Sequence, residues 1–312
     1  MAVALRVTFL GNDRWSVPSL RALASSPHDV IVVVTAVPKP AGRGNRLRPT
    51  PVADAARELE LPLLEVETVR SDPARSLLSS TEPDVLAVVA YGELLPKEVL
   101  DLPKVAPVNL HFSLLPGLRG ASPVQAALLL GLEGTGVSTI VMDEGMDSGP
   151  VLLQRPEPVD PGDDAGSLGE RLASLGASVL VESIDLLASG AANPTPQDHS
   201  LATMAPRLGP GDRNLDWSND ARDLVNRCRA FSPAPGATTT FRGQGLKVFR
   251  AEVVVAASGE PGAVVETDAD GFVVATGGAG FRPLELAPAG RGRMRSRDFV
   301  NGYRPTAGER LG

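Results

Sequence analysis

What is scarce in this chain excludes several classes of protein before any motif is considered. It contains one cysteine, Cys228, in 312 residues, so no disulfide can form within the chain, and this usage fits a reducing compartment. No apolar run approaches the roughly 18 residues that a membrane-spanning helix needs. The amino terminus lacks the charged start and small-residue cleavage site of a signal peptide. The sequence therefore predicts a cytoplasmic protein without a membrane partner.

Residues that bind metals or dinucleotides are sparse as well. The three histidines, His28, His111 and His199, lie far apart, and with a single cysteine they offer no zinc-type spacing. The first predicted strand is followed by Gly11 alone, whereas a dinucleotide-binding turn carries three glycines. We therefore expect no metal and no NAD.

One segment departs from the acidic character of the chain, whose net charge is −7. Within the Gly-, Pro- and Arg-rich loop predicted over residues 37–49, basic side chains accumulate without an acidic neighbour. A local cationic loop can contact phosphate groups even on an acidic protein. A solvated, flexible connector is an equally simple interpretation. The residues concerned are Lys39, Arg43, Arg46 and Arg48.

The first part of the chain alternates β-branched apolar runs with helical spacing of apolar residues. This alternation predicts an α/β domain with a Rossmann-like, mostly parallel sheet covered by helices on both faces. The last two strands are expected to form a hairpin pair. The predicted strands are residues 5–10, 29–35, 84–90, 107–110, 136–142 and 150–157, and the predicted helices are residues 17–24, 52–61, 73–80, 122–131 and 164–188.

The rest of the chain has a different character. Residues 190–206 are rich in proline and small side chains, which is typical of a linker. After a helix predicted over residues 221–231, short β-type runs recur at intervals of about ten residues, which indicates a small OB-like β-barrel. We therefore expect an N-terminal domain over residues 1–189 and a C-terminal domain over residues 207–312.

The most informative segment reads VNLHFSLLPGLRG and begins at Val108. Asn109 and His111 are two residues apart at the carboxyl end of a predicted strand, so their side chains point to the same face. Open α/β sheets build their active sites at this edge. A strand-end Asn and His could also simply cap the sheet.

A second, Gly-punctuated acidic loop, MDEGMDSG, joins the last two predicted strands and can return Asp147 to the same edge. The three side chains suit acyl transfer to an amine. His111 can handle a proton near neutral pH, Asn109 can donate to a developing oxyanion, and Asp147 can orient the imidazole or accept a proton. On spacing alone, Asp147 could equally be an ordinary turn residue.

These two blocks, NLHFSLLPGLRGASPVQAA and TGVSTIVMDEGMDSG, resemble the folate-dependent formyltransferases. The resemblance implies that Asn109, His111 and Asp147 form the catalytic set and that 10-formyltetrahydrofolate is the formyl donor. It also implies that the pterin lies near Tyr91 and Gly92, beside the loop before Asp147. The folate-binding segment that the resemblance implies consists of Ser113, Leu114, Leu115 and Pro116.

Further matches narrow the resemblance to the branch of the family that formylates methionyl initiator tRNA. The loop KPAGRG resembles a basic insertion that reaches the acceptor end of the tRNA, with Arg43 in the place of its key arginine. Asp216-Trp217 and Arg229-Ala230-Phe231 resemble the opening of the C-terminal, tRNA-binding domain. The resemblance thus implies a role in translation initiation, with the tRNA acceptor arm contacted by Lys39, Arg43, Arg46 and Arg48. We expect a monomer.

One turn departs from the family pattern, because Gly11-Asn12-Asp13-Arg14-Trp15 stands where Gly-Thr-Pro is usual. Two alternatives remain at this point. The acceptor could be a nucleotide-linked amino sugar or a purine precursor, which would require neither the basic loop nor the barrel. The chain could also be a non-enzymatic RNA- or folate-binding protein, although such a protein has no need of all three polar residues.

Overall fold

A computed structural model describes residues 3–41, 46–255 and 257–312 of the chain. The chain forms two compact units, and each collects more than one stretch of sequence. The residues 190–206 that were predicted as a linker belong to the first unit; the domain boundaries themselves stay a prediction. The first unit contains Met1–Pro123, Gly134–Pro158 and Gly169–Pro206, and the second contains Val124–Glu133, Val159–Leu168 and Arg207–Gly312.

Strands and helices alternate along the first unit, as the sequence pattern predicts, and strands dominate the second. None of the helices within the described residues is long and apolar enough to cross a membrane. The strands are β1 (Arg6–Gly11), β2 (Asp29–Ala36), β3 (Lys39–Ala41), β4 (Arg46–Arg48), β5 (Leu63–Val66), β6 (Val85–Val89), β7 (Ala106–His111), β8 (Gly134–Val141), β9 (Val151–Pro158), β10 (Ala237–Phe241), β11 (Gln244–Val254), β12 (Val264–Thr267), β13 (Phe272–Ala275), β14 (Gly280–Pro288) and β15 (Met294–Arg295). The helices are α1 (Val17–Ala24), α2 (Pro51–Glu58), α3 (Asp72–Ser80), α4 (Lys97–Leu100), α5 (Pro123–Leu129), α6 (Ala165–Ala188), α7 (Ala221–Ala230) and α8 (Ser296–Tyr303).

Several helices of the first unit begin where a polar side chain can satisfy the free backbone N–H groups of the first turn. The Thr50 hydroxyl accepts a hydrogen bond from Ala53 N at the start of α2. The Ser71 hydroxyl accepts one from Ala74 N at the start of α3. Both helices also carry a proline in the first turn, where a missing N–H costs nothing.

The sheet of the first unit contains, among the described residues, seven strands in the order β5-β2-β1-β6-β7-β8-β9. The strands β5, β2, β1, β6 and β7 are parallel, and β8 and β9 add to the edge as an antiparallel pair. Strand β6 is buried along its whole length, as expected for a parallel sheet covered on both faces. The α/β prediction is therefore confirmed. The strand order reverses between β1 and β6, which makes their carboxyl ends the place where such sheets bind ligands.

The second unit is built around an antiparallel sheet whose main path runs β10-β11-β14-β13-β12, with β15 paired to β14. Its apolar core includes Phe272, Phe281 and Phe299, none of which is more than 1% exposed. The antiparallel sheet that the sequence predicts for this region is present. Closure of that sheet into an OB-like barrel stays a prediction.

Some short elements differ from the sequence prediction. Residues 39–41 and 46–48, placed in a loop, form the antiparallel hairpin β3–β4. The strand β5 and the helices α4 and α8 had no counterpart in the prediction. These elements are at most eight residues long, so they contain too little sequence for a periodic pattern.

Candidate active site

Two polar side chains lie at the carboxyl end of β7, a strand inside the seven-stranded sheet. Asn109 is in register with Val88 on β6, and His111 is in register with Ser138 on β8. Because they are two residues apart on one strand, they face the same side of the sheet. The His111 side chain is almost completely buried, at 6% exposure. Strand β7, which lies inside the sheet, therefore holds both side chains in place.

Asp147 returns to this edge from the loop between β8 and β9. Its Oδ1 atom accepts a hydrogen bond from Asn109 Nδ2 at 3.3 Å. Its Oδ2 atom lies 3.6 Å from His111 Nδ1 and accepts a hydrogen bond from Gly120 N at 2.9 Å. The structure thus brings together the three residues that spacing and resemblance had selected, with the carboxylate between the amide and the imidazole.

The far side of the imidazole ring is held by the backbone. His111 Nε2 lies 2.9 Å from the carbonyl oxygen of Leu118. A carbonyl oxygen can only accept, so Nε2 carries the proton in this contact. A neutral ring would then direct the lone pair of Nδ1 towards the Asp147 carboxylate, whereas the imidazolium would interact favourably with both partners. The Leu118 carbonyl oxygen and the Asp147 carboxylate therefore lie at opposite nitrogen atoms of the His111 ring.

The backbone of the Asp147 loop has two unusual positions. Asp147 itself adopts φ = +52°, the left-handed region that non-glycine residues rarely occupy and that Asp tolerates better than most. At Gly149, an added Cβ atom would collide with the carbonyl oxygen of Val141, so only glycine fits there. Backbone conformations of this kind cluster at functional sites, where surrounding contacts hold them in place.

The segment that follows β7 contains the residues implied in folate binding, Ser113, Leu114, Leu115 and Pro116. Ser138 on β8 holds this segment, because its hydroxyl donates to Ser113 O at 2.7 Å and accepts from Leu115 N at 3.0 Å. The Leu114 side chain remains 38% exposed. The segment therefore presents an apolar side chain from a backbone that is fixed to the sheet.

The other two residues implied in folate binding follow β6. Tyr91 is buried, and burial, reinforced by the negative charge of Glu93, raises the pKa of its phenol. Gly92 has φ = +84°, and apart from Gly92 and its two chain neighbours no described atom lies within 4 Å of where its Cβ would be. The amide of Asn12, from the atypical turn after β1, donates to Tyr91 O and accepts from Ala36 N at 2.7 Å. This turn thus ties together the carboxyl ends of β1, β2 and β6, and it leaves free space beside Gly92.

Three of the four basic residues implied in tRNA binding lie on strands β3 and β4. Lys39 on β3 is in register with Arg48 on β4, and Arg46 lies at the start of β4. All three residues are exposed. Arg43 lies outside the described residues. The structure therefore gathers three of the four basic residues on one short ribbon.

A glutamine that the sequence prediction did not select also belongs to this region. Gln197 lies in the segment predicted as a linker, yet its side chain is buried and donates to the carbonyl oxygens of Asp147 and Gly149. No periodic pattern surrounds it, so only tertiary structure could reveal it. Among the described residues there is no group of three or more His, Cys, Asp or Glu side chains that could hold a metal ion.

Comparison with known proteins gives matches along nearly the whole chain. The family described as "Formyl transferase" matches residues 5–184, and "Formyl transferase, C-terminal domain" matches residues 207–304. A methionyl-tRNA formyltransferase from Koribacter versatilis is 41% identical over 308 residues, covering 98% of each chain. One from Roseiflexus castenholzii is 44% identical over 314 residues, covering 99% of this chain and 100% of the relative.

Solved structures share the fold at much lower identity. HypX from Aquifex aeolicus, in complex with tetrahydrofolic acid, has a TM-score of 0.65 and 17% identity, covering 96% of this chain and 48% of HypX. An N-formyltransferase from Helicobacter canadensis, in complex with folinic acid and dTDP-3-aminofucose, has a TM-score of 0.64 and 15% identity, covering 89% and 98%. At this level of identity the likeness concerns the fold alone.

Proposed function

Because the chain belongs to the formyl transferase family, within its methionyl-tRNA formyltransferase branch, we propose that it formylates the α-amine of methionine carried by initiator tRNA. The formyl donor is 10-formyltetrahydrofolate. The observation that carries the proposal is the Asp147 carboxylate placed between Asn109 Nδ2 and His111 Nδ1. This activity would provide the formylated initiator for translation.

Attack of an amine on a formyl carbon develops negative charge on the formyl oxygen, and preorganised donors lower that barrier. Asn109 Nδ2 carries two hydrogens and donates one of them to Asp147, which leaves the second for the oxygen. The 3.6 Å separation of His111 Nδ1 and Asp147 Oδ2 is longer than a hydrogen bond, so a proton on Nδ1 is not committed to the carboxylate and is available to the oxygen. We assign oxyanion stabilisation to Asn109 and His111.

The attacking amine must lose a proton as the new bond forms. Asp147 is the nearest carboxylate to His111 and is itself held by Gly120 N and Asn109 Nδ2. It can accept this proton directly or through a water molecule. The leaving nitrogen of the folate takes up a proton in turn, so the three side chains return to their starting state.

The carboxyl edge of the sheet fits a reduced folate. The free space beside Gly92 is accompanied by an apolar side chain, the partly exposed Leu114, and by the polar backbone groups of residues 113–116, a combination that small-molecule sites usually have. We propose that the pterin contacts the turn at Tyr91 and Gly92 and that residues 113–116 line the rest of the ligand.

We further propose that the tRNA acceptor arm is contacted by Lys39, Arg43, Arg46 and Arg48, and by the C-terminal domain. In this proposal residues 1–189 form the catalytic domain, residues 190–206 a connection, and residues 207–312 the tRNA-binding domain. The 44% identity to a relative of nearly equal length supports an assignment that includes both domains. A monomer acting in the cytoplasm, where initiator tRNA is charged, completes the proposal.

The catalytic assignment is tested by His111→Ala and Asp147→Asn, assayed with methionyl initiator tRNA and 10-formyltetrahydrofolate. We expect each change to lower kcat by roughly 10²- to 10⁴-fold. His28→Ala is the matched control, because His28 is equally buried but bonds to Leu5 N at the amino end of β1. Wild-type rates for both variants would refute the assigned roles.

A small-amine acceptor is the alternative outcome of the same assay. If the protein formylates a nucleotide-linked amino sugar or a purine precursor faster than methionyl-tRNA, the tRNA part of the proposal is wrong while the formyl chemistry stands. Ionic strength gives a second readout, since a tRNA substrate binds through many phosphate contacts that weaken steeply with salt, whereas a small acceptor makes few such contacts and depends on salt much less.

A further inference from the structure

Residues 195–205, called here the 195–205 segment, pair with both loops that carry the candidate site. Thr195 and Val151 exchange two backbone hydrogen bonds of 2.8 Å, just after the Asp147 loop. Arg119 N donates to Thr203 O at 2.8 Å, and Ala205 N donates to Arg119 O at 2.7 Å. The 195–205 segment is therefore hydrogen-bonded on one side to the loop of Asp147 and on the other to the loop that contains the partners of His111.

The side chain of Gln197 links these two loops directly. Its Nε2 atom donates to Asp147 O at 2.9 Å and to Gly149 O at 2.7 Å. Its Oε1 atom accepts from Arg119 Nη2 at 2.6 Å and from Arg119 Nε at 3.2 Å. Because a guanidinium can only donate, the oxygen must face Arg119, and the amide nitrogen must face the two carbonyl groups. The amide orientation is thus determined by its neighbours.

Arg119 is an unusual partner for such an amide, because it is a buried cation. It is 7% exposed, and in the described part of the chain its side-chain partners are Gln197 Oε1 and His199 Nδ1, at 3.1 Å for the latter. Burying a charge that has no carboxylate partner costs free energy. Arg119 therefore depends strongly on the hydrogen-bond acceptors that it does have. Arg119 therefore holds Gln197 Oε1 firmly, which fixes the opposite end of the amide on the Asp147 loop.

We propose that Gln197 is a positioning residue for Asp147, a role that rests on the proposed function. Asp147 occupies the left-handed region, so its loop needs contacts that over-determine this backbone. The two hydrogen bonds from Gln197 Nε2 supply them on either side of Ser148. Without them, the loop relaxes, and the carboxylate leaves its place between Asn109 and His111, while the basic residues of the β3–β4 hairpin keep their positions.

Gln197→Met and Gln197→Glu separate this role from a general loss of stability. Methionine keeps the length of the side chain without its polar atoms, whereas glutamate keeps an acceptor for Arg119 but loses the N–H donors. We expect both variants to lower kcat roughly 10- to 100-fold, as a displacement of about 1 Å does at reacting groups. The KM for methionyl-tRNA should change little. Gln197→Glu should also unfold at a urea concentration near that of the wild type.

The decisive measurement combines Gln197→Met with Asp147→Asn. If Gln197 acts through the Asp147 carboxylate, the double variant should have the kcat of Asp147→Asn alone, because the group to be positioned is already disabled. An equal loss in both backgrounds would show a role independent of Asp147 and overturn the proposal. A wild-type kcat for Gln197→Met would overturn it as well, even where Asp147→Asn is slow and the proposed function holds. A fully active Asp147→Asn would overturn both.

Gln154→Met is the matched control. This glutamine of β9 also donates from Nε2 to a backbone carbonyl, that of Leu115 at 2.8 Å, and to Ser138 Oγ at 2.8 Å. Its contacts hold the segment assigned to folate rather than the Asp147 loop. We therefore expect Gln154→Met to raise the KM for 10-formyltetrahydrofolate by the same factor in the wild-type and the Asp147→Asn backgrounds.

Discussion

Glu309 joins the last residues of the chain to the turn between β10 and β11. Its carboxylate accepts from Arg242 Nε at 2.7 Å and Nη2 at 3.0 Å, and from Thr306 N at 2.7 Å. The hydrogen bond from Arg242, followed by that from Thr306 N, lowers the pKa of Glu309 from 4.5 to about 2. A carboxylate with a lowered pKa in the folded state contributes stability above the unfolded value, and this contribution is lost as pH falls through the folded value.

We therefore expect Glu309→Gln to be less stable than the wild type at pH 7. Between about pH 4.5 and pH 2, its unfolding free energy should fall less steeply with pH than that of the wild type, because the titrating group is gone. Urea unfolding at a series of pH values measures this difference. Glu266→Gln, an exposed carboxylate on β12, is the control. An unchanged pH dependence in Glu309→Gln would contradict the assigned contacts.

The candidate site also shows which residues a sequence can reveal. Asn109 and His111 could be predicted to point to the same side of the sheet because strand geometry fixes the direction of residues two apart. Their contact with Asp147 needed the family resemblance, since spacing alone allowed an ordinary turn residue. The contacts of Gln197 could not be predicted from the sequence, because its partners lie about 50 and 80 residues away in the chain and no local pattern accompanies it.

At the scale of elements, the β3–β4 hairpin carries the prediction about tRNA. We expect the combined change of Lys39, Arg46 and Arg48 to alanine to raise the KM for methionyl-tRNA without lowering kcat at saturation. Each lost phosphate contact should reduce the slope of log KM against log salt concentration by about 0.7 to 0.9. Kinetics at several salt concentrations measure both effects.

Lys104→Ala is the control for the hairpin variant. Lys104 is an exposed cation of the same unit that pairs with Glu82 at 3.2 Å, away from the carboxyl edge of the sheet. Its removal should leave the salt slope unchanged. If the hairpin variant and the wild type had the same salt slope, the proposal that the hairpin contacts tRNA would be wrong.

Long elements of the fold could be predicted from the sequence, and short ones could not. The run DVIVVVT marked β2 because a buried parallel strand needs apolar residues on both faces. The hairpin β3–β4 could not be predicted from the sequence, because its strands are three residues long and are rich in residues typical of loops. The helix α8 was missed because its apolar residues are too few to show helical spacing.

At the scale of the whole molecule, the reactivity of Cys228 reports on opening of the core of the second unit. Its side chain on α7 is fully buried in the core of the second unit, and burial raises the pKa of the thiol. Since the thiolate is the reactive form, modification requires opening of this core. We expect an aromatic disulfide reagent to react slowly with the native protein, at a rate that rises with urea in parallel with unfolding of the second unit.

This labelling experiment has an internal control in its stoichiometry, because the chain holds one cysteine and full reaction gives one thiol per molecule. Rapid reaction in the absence of urea would mean that the core around α7 opens readily. Labelling in the presence of 10-formyltetrahydrofolate should follow the same course, since no residue assigned to the folate belongs to the second unit.

The division of the chain into segments has a consequence for recombination between genes. Besides Arg207–Gly312, the second unit includes Val124–Glu133 and Val159–Leu168, which are encoded within the first 189 codons. A chimaera made by one crossover near codon 207 would join the carboxyl-terminal sheet of one parent to partly buried segments of the other parent. Exchange of whole units needs several crossovers at once, so related chains are expected to inherit both halves together.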